Sequence, residues 1–167
     1  MFAIVIKIVL SNENSRIVSL ENYNRPPASG TVLQTISFGH ATGDKLFFDN
    51  NIICFDPVTI FKYTMTPTSK NSTIAISFTS RYTVSNGSGD QANITINRTN
   101  GTSLLIVSKT AFNSEKNNNP LLPISGTYDN TISASQLIEV IAKTIGAGQI
   151  SFNQSVEWSA TISETQN

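Results

Sequence analysis

A single cysteine, a single histidine and a single tryptophan leave this chain of 167 residues little reactive chemistry. Cys54 alone cannot form an intrachain disulfide, and between Ile53 and Phe55 it reads as a small buried hydrophobe. His40 is the only histidine, so a metal site within the chain would need carboxylates or Cys54 beside it. Charge is scarce too. Charged residues make up 13% of the chain, well below the usual quarter, and 11 basic residues cancel 11 acidic ones. A chain without net charge lacks the field that steers proteins to nucleic acid or anionic membranes, and neither partner is expected. Heptads, internal repeats and a domain linker are missing, as is any apolar run long enough to span a bilayer. The opening MFAIVIKIVLS has no basic residue before its apolar run, is interrupted by Lys7, and lacks a small-residue cleavage site, so it reads as a strand rather than a signal peptide.

What the chain does have is period two. The most informative stretch runs from Tyr63 to Gly101. Thr73 to Val84 alternates, with Ile74, Ile76, Phe78, Ser80 and Tyr82 on one face and Thr73, Ala75, Ser77, Thr79, Arg81 and Thr83 on the other. The turn Asn86–Asp90 follows, then a second alternating run from Gln91 to Arg98. Asn100-Gly101 is a hairpin signal of the type I′ kind, and Ser103 to Thr110 continues the ladder. Earlier strands are expected at Met1–Val9, Arg16–Leu20, Thr31–Phe38 and Val58–Thr66, with Gly39–Asp44 as a turn. Asn113–Pro123 is polar and carries two prolines, and reads as an exposed loop. Ser133–Ala147 supports two readings. Ser133 and Gln136 form a capping box and Leu137, Ile138, Ile141 and Ile145 a helical stripe, yet Ile138, Val140 and Ala142 alternate. The β character of the remainder favours strand. Gln149–Gln154 and Val156–Glu164 close the chain. Eight to ten strands at this spacing predict an all-β fold, a single antiparallel β-sandwich of jelly-roll type, with residues 1–30 as N-terminal strand and connecting segment and 31–167 as the core sandwich.

Chemistry is sparse on this frame. His40 is followed by Asp44, Asp49 and Asp56, but no G-x-S-x-G places a serine beside it. Glu139, Glu157 and Glu164 are the candidates for a carboxylate pair. Gly87-Ser88-Gly89-Asp90 lacks the lysine of a phosphate loop and the acid spacing of a calcium loop. No catalytic residue, cofactor or metal is expected. Six N-x-S/T sequons, at Asn71, Asn86, Asn93, Asn97, Asn100 and Asn153, are what an Asn/Ser/Thr-rich chain yields by chance. Phe47, Phe48, Phe55, Phe61 and Phe78 look like core. Tyr23, Tyr63, Tyr128 and Trp158 pack between sheets or subunits, or else, Trp158 and Tyr128 above all, form a platform for sugar stacking.

From Val58 to Arg98 a strand, "TPTSKNSTIAIS", a turn and a strand ending in Arg98 before "NGT" are similar to the heads of phage and large-virus fibres, which are trimeric jelly rolls of the tumour necrosis factor/complement-head type. "ISFNQS" and "EWSATISE" also resemble that family, and the resemblance runs from Val32 to Glu164. The absence of a shaft departs from a fibre and resembles instead a single-jelly-roll vertex (penton) protein of an icosahedral virus. The resemblance implies a structural virion protein without enzymatic activity, located in the virion, whose partners are further copies of itself (a trimer or a pentamer), other capsid proteins and a host-surface glycan or receptor. The outward face of the long strand, Ala75, Ser77, Thr79, Arg81 and Thr83, is the expected subunit interface, with Gly39–Asp44, Asn86–Asp90 and Asn113–Pro123 exposed for attachment. The alternative is a carbohydrate-binding module or lectin-like sandwich.

Overall fold

A computed structural model describes residues 27–44, 46, 56–85, 91–112, 121–145, 149–152 and 157–167. The expected strands Met1–Val9 and Arg16–Leu20, together with Cys54, Phe47, Phe48, Phe55, Tyr23, the turn Asn86–Asp90 and the sequons at Asn86 and Asn153, lie outside these residues, as does 113–120 of the expected polar loop.

Alternating side chains force these segments into strands, because period two puts every second residue on one face. The described residues form nine strands: β1 Val32–Gly39, β2 Val58–Met65, β3 Ser72–Ser85, β4 Gln91–Asn100, β5 Thr102–Phe112, β6 Leu121–Asn130, β7 Gln136–Ile145, β8 Gln149–Phe152 and β9 Trp158–Gln166. Their pairing is nested and antiparallel. β4 pairs β5, β3 pairs β6, β2 pairs β7 and β1 pairs β9, as in one long ribbon folded back at the β4–β5 hairpin. β3 also pairs β9 and β4 also pairs β7, which rolls the ribbon into two sheets of order β1-β9-β3-β6 and β2-β7-β4-β5. That winding is a jelly roll. β3 is 14 residues long because it serves two stretches of partner: Ser72–Ser80 lies between β6 and β9, and Tyr82–Ser85 pairs β8.

The core lies between the sheets. Ile74, Ile76, Phe78 and Tyr82 from β3 meet Ile60, Phe61 and Met65 from β2, Ile94 and Ile96 from β4, and Ile138 and Val140 from β7, all buried. Aromatic edges knit the centre. Phe61 lies 5.3 Å from Phe38, 6.2 Å from Phe78 and 6.3 Å from Trp158, centroid to centroid. Burying a side chain of this size contributes about 1.5–3 kcal/mol.

Of the two readings of Ser133–Ala147 the favoured strand holds: Gln136, which the helical reading made the N3 residue of a capping box, begins β7 fully buried. Two expectations change. Leu121, Leu122 and Pro123 belong to β6 rather than to a loop, and Leu122 is core. Pro123 is tolerated because β6 is the sheet edge, where a missing N–H leaves no ladder bond unmade. The β4–β5 reversal sets Asn100 opposite Thr102 and Thr99 opposite Ser103. A two-residue type I′ loop would pair Thr99 with Thr102, so the tip is instead an odd-numbered reversal at Gly101, whose φ of 74° suits glycine.

Candidate functional site

Alternation leaves the outward side of the first sheet to a distinctive set of side chains. The register aligns them in rows across β1, β9, β3 and β6: Thr35–Ser163–Ala75–Thr127, then Ser37–Thr161–Ser77–Ser125, then Gly39–Ser159–Thr79–Pro123. Every residue in these rows is small or of medium size and uncharged. The middle of the face is a shallow trough of about 450 Å³ bordered by Ala75, Ser77, Ser125, Thr127, Thr161 and Ser163. The sequence-predicted interface residues Ala75, Ser77, Thr79, Arg81 and Thr83 all lie outward on β3, exposed or half-buried, as the alternation requires. Arg81 is the charged member, with Nη2 3.5 Å from the Glu157 carboxylate. An exposed pair at that distance contributes little, within about 0–1 kcal/mol. Val32, beside Thr165, and Leu121, beside Arg81, stand at opposite corners of the face, 61% and 47% exposed.

The second sheet presents a different outer face. Leu137, Ile141 and Ile145 point outward from β7 and Leu105 from β5, interspersed with Lys62, Glu139 and Lys143. Sequence reasoning did not identify this apolar set as a surface. Its signal was present, because residues spaced by four share a face on a strand as they do on a helix.

The topology also collects connections. β1 ends at Gly39, β3 at Ser85, β5 at Phe112 and β7 at Ile145, while β4 starts at Gln91, β6 at Leu121 and β9 at Trp158, all at one end of the sandwich. The three segments expected to serve attachment therefore leave from the same end. Of these the Gly39–Asp44 turn is described. It holds a single 3₁₀ turn, His40–Thr42, in which the Asp44 carboxylate accepts from Gly39 N at 3.2 Å and from the Thr42 hydroxyl. His40 is exposed there. Beside it a pocket of about 370 Å³ is lined by His40, Ala41, Thr79, Leu121, Glu157, Trp158 and Ser159.

At the opposite end lies a polar cluster that no single stretch of sequence announces. Glu164 is fully buried near the end of β9. Its carboxylate accepts from Thr68 N at 2.8 Å, Ser69 N at 2.9 Å, Ser72 Oγ at 2.8 Å and Gln34 Nε2 at 2.7 Å. Burial alone would raise its pKa. The backbone N–H groups of Thr68 and Ser69, then the Gln34 and Ser72 side chains, outweigh that and hold it down at about 2. The cluster continues sideways. Asn130 Nδ2 donates to Ser69 O at 2.6 Å, Gln136 Nε2 to Asn130 Oδ1 at 2.7 Å and Tyr128 OH to Gln136 Oε1 at 2.9 Å. Burial, with Arg98 opposing it and Glu164 adding to it, pushes the Tyr128 phenol up to about 12, so it remains a neutral donor. Arg98 lies over the Tyr128 ring, 4.9 Å from its centroid.

These placements separate residues that sequence reasoning had grouped. Glu139 faces outward on the second sheet, Glu157 is exposed before β9, and Glu164 is buried at the far end of that strand, so they make no carboxylate pair. Trp158 and Tyr128 do not form one stacking platform. Trp158 is 4% exposed in the core against Phe61, opposite Ser80, while Tyr128 is opposite Ile74, six residues or roughly 20 Å along β3. Tyr63 packs on Phe38 at 4.9 Å. The reason is the inward phase of these positions, which alternation places between the sheets. Of the described sequons, Asn71 and Asn100 are exposed, whereas Asn93 and Asn97 lie half-buried within the β4 ladder.

No family model matches the chain, and no curated protein is similar to it in sequence. Among solved structures, the chain is similar to one described as "Structure of infectious bursal disease virus Gx strain", with 11% identity and a TM-score of 0.41 over 86% of this chain and 39% of that one. The corresponding structure of the Gt strain gives 11% identity and a TM-score of 0.40 over 84% and 39%. A structure described as "CBM4 structure and function" gives 12% identity and a TM-score of 0.32 over 88% and 83%. The chain thus spans about two fifths of the length of the viral chains. Similarities this distant carry no inference about function.

Proposed function

We propose that the protein is a structural virion protein, a jelly roll that associates with copies of itself at the particle surface and presents the loops of one end for attachment. The observation that carries this reading is the outward face of the first sheet. Three rows of small, uncharged residues leave neither a charge to desolvate nor a bulky side chain to hold a neighbour away. Such a face accepts another polypeptide surface at low desolvation cost. The zero formal net charge adds no long-range repulsion between copies.

Size sets a condition on the interface. Four strands about 4.8 Å apart and about seven residues of ~3.3 Å give roughly 450 Å². A standard interface takes about 800 Å² from each partner, so the flat face supplies roughly half. The exposed corners at Val32 and Leu121 extend it in the directions an interface of that size would need. Substituting Ser77, at the centre of the face, by arginine tests the reading. The variant should stay folded and lose self-association, with a thermal midpoint no longer dependent on concentration. A wild-type chain that remains monomeric at micromolar concentration and joins no particle would refute the proposal. A trimer would favour a fibre or spike head, and a pentamer a vertex capsomer. The carbohydrate-binding alternative loses the aromatic platform that first suggested it.

A further inference from the structure

We infer that the free edge of β1 is the docking site of the chain's own N-terminal segment, Phe2–Val9, which pairs there as a further strand of the first sheet. Four strands end the two sheets, β1 and β6 in the first and β2 and β5 in the second. Three of them carry features that keep an edge from pairing further. β6 has Pro123 and Asp129, β2 has Lys62 and a bulge at Ile60, and β5 has Lys109 and a bulge at Ile106. β1, VLQTISFG, has neither charge nor proline, its bulge at Leu33 lies at its start, and Gln34–Gly39 pairs β9 without a break. Gly39 turns its N–H to the Asp44 carboxylate and its C=O to the Asp44 N–H, away from β9. Antiparallel pairing alternates in direction along a strand, so Thr35 and Ser37 aim their N–H and C=O groups the same way. Among the described residues nothing pairs with these four groups.

The core behind this edge is half-covered. Phe38 reaches Phe61 and Tyr63 across the seam between the sheets, yet Ile36, Phe38 and Tyr63 stay half-buried. A strand beside β1 sets its inward side chains about 4.8 Å from Ile36 and Phe38 and covers them. Phe2–Val9 suits the place. It is apolar except for Lys7 and matches the eight residues of β1. Lys7 sets its phase, because an ammonium facing the core would lose water without a partner. Phe2, Ile4, Ile6 and Ile8 therefore face inward, and Lys7 faces outward with Ala3 and Val5, where a lysine guards the new edge. Reach is sufficient. Gly30 N donates to Gln166 O and Gln166 N to Thr31 O, which holds the chain before Val32 at the start of the edge. Residues 10–26 span up to about 56 Å when extended, about twice the ~26 Å of an eight-residue strand. Tethering gives the segment an effective concentration in the millimolar range, so at micromolar protein it outcompetes a second copy for the edge.

Hydrogen exchange of the full chain at neutral pH tests this at the amides of Thr35 and Ser37. Both should exchange about a hundredfold or more slowly than in an unfolded chain. Ile6→Asp puts a charge on the inward face and should return both to unfolded rates. Val5→Asp, on the outward face, should leave them slow. The Ile76 amide, in β3 between β6 and β9, should stay slow in every variant and so report a folded sandwich. The inference is overturned if Thr35 and Ser37 exchange freely in the wild type, or if Ile6→Asp leaves them protected. Ser77→Arg separates docking from assembly. The segment belongs to the same chain, so protection should persist in that monomer. Protection lost there, or lost on dilution of the wild type, would give the edge to a second copy and overturn the inference. Fast edge amides in a chain that self-associates would remove the docking alone. Slow ones in a wild-type monomer would remove the assembly reading and keep the docking.

Discussion

Glu164 shows what one residue does here. A carboxylate taken fully out of water survives only if its charge is compensated, and four donors from the β2–β3 connection, β3 and β1 do so. The shift from 4.5 to about 2 corresponds to about 3 kcal/mol of stability at neutral pH. Because the folded pKa is the lower one, this contribution is complete above about pH 4.5 and is lost as the pH falls toward 2. Glu164→Gln turns an amide N–H2 toward groups that themselves donate, and should cost about 3 kcal/mol in urea unfolding at pH 7. The gap between wild type and variant should narrow steadily below pH 4.5. A gap independent of pH would contradict the account. Trp158 makes the complementary point. Buried against Phe61, it acts as core, so Trp158→Ala should cost about 3–5 kcal/mol. A loss near zero would mean that the indole is a surface platform after all.

At the scale of elements, close approach between strands decides which small residues are required. A Cβ on Gly39 would lie 2.8 Å from the Trp158 carbonyl oxygen, a backbone atom fixed by the β1–β9 ladder. A Cβ on Gly126 would meet the Ile106 and Val107 side chains that close β5 over β6, and these have some freedom to move. Gly39→Ala should therefore destabilise by about 1–3 kcal/mol and by more than Gly126→Ala, measured by thermal or urea unfolding. The reverse order would show that the β1–β9 edge yields more easily than the β5–β6 seam. The same packing explains how far the sequence was legible. β3, β4 and β9 were readable because their inward positions carry Ile, Phe and Trp in strict alternation. β6 was not, because Pro123 marks it as a loop and Gly126 occupies an inward position whose space Ile106 and Val107 fill from the other sheet. β7 was ambiguous because Leu137, Ile141 and Ile145, four residues apart, satisfy both periods. The Glu164 cluster was invisible to periodicity. Gln34 and Glu164 are 130 positions apart, and only the folded ladder makes them neighbours. The pocket beside the His40 turn was half visible: His40 had been weighed for catalysis and Trp158 for sugar stacking.

The whole molecule divides its labour between its two ends and two faces. One end is braced by the Glu164 cluster, which ties the β2–β3 connection to β9 and, through Asn130 and Gln136, to the start of β7. The other end collects the connections and the pocket beside the His40 turn. Between them, the first sheet shows a flat uncharged face and the second a mixed face with exposed Leu105 and Ile145. Which face joins copies has distinct consequences. An arginine at Ser77 burdens only the first, whereas Ile145→Arg burdens only the second. The account assigns association to the first, so Ile145→Arg should leave the oligomer intact. The most direct test is sedimentation equilibrium of the wild-type chain and Ser77→Arg at micromolar concentration and neutral pH. The account predicts a closed oligomer of three or five copies for the wild type and a folded monomer for the variant. A wild-type monomer, or an oligomer unchanged by arginine at Ser77, would contradict it.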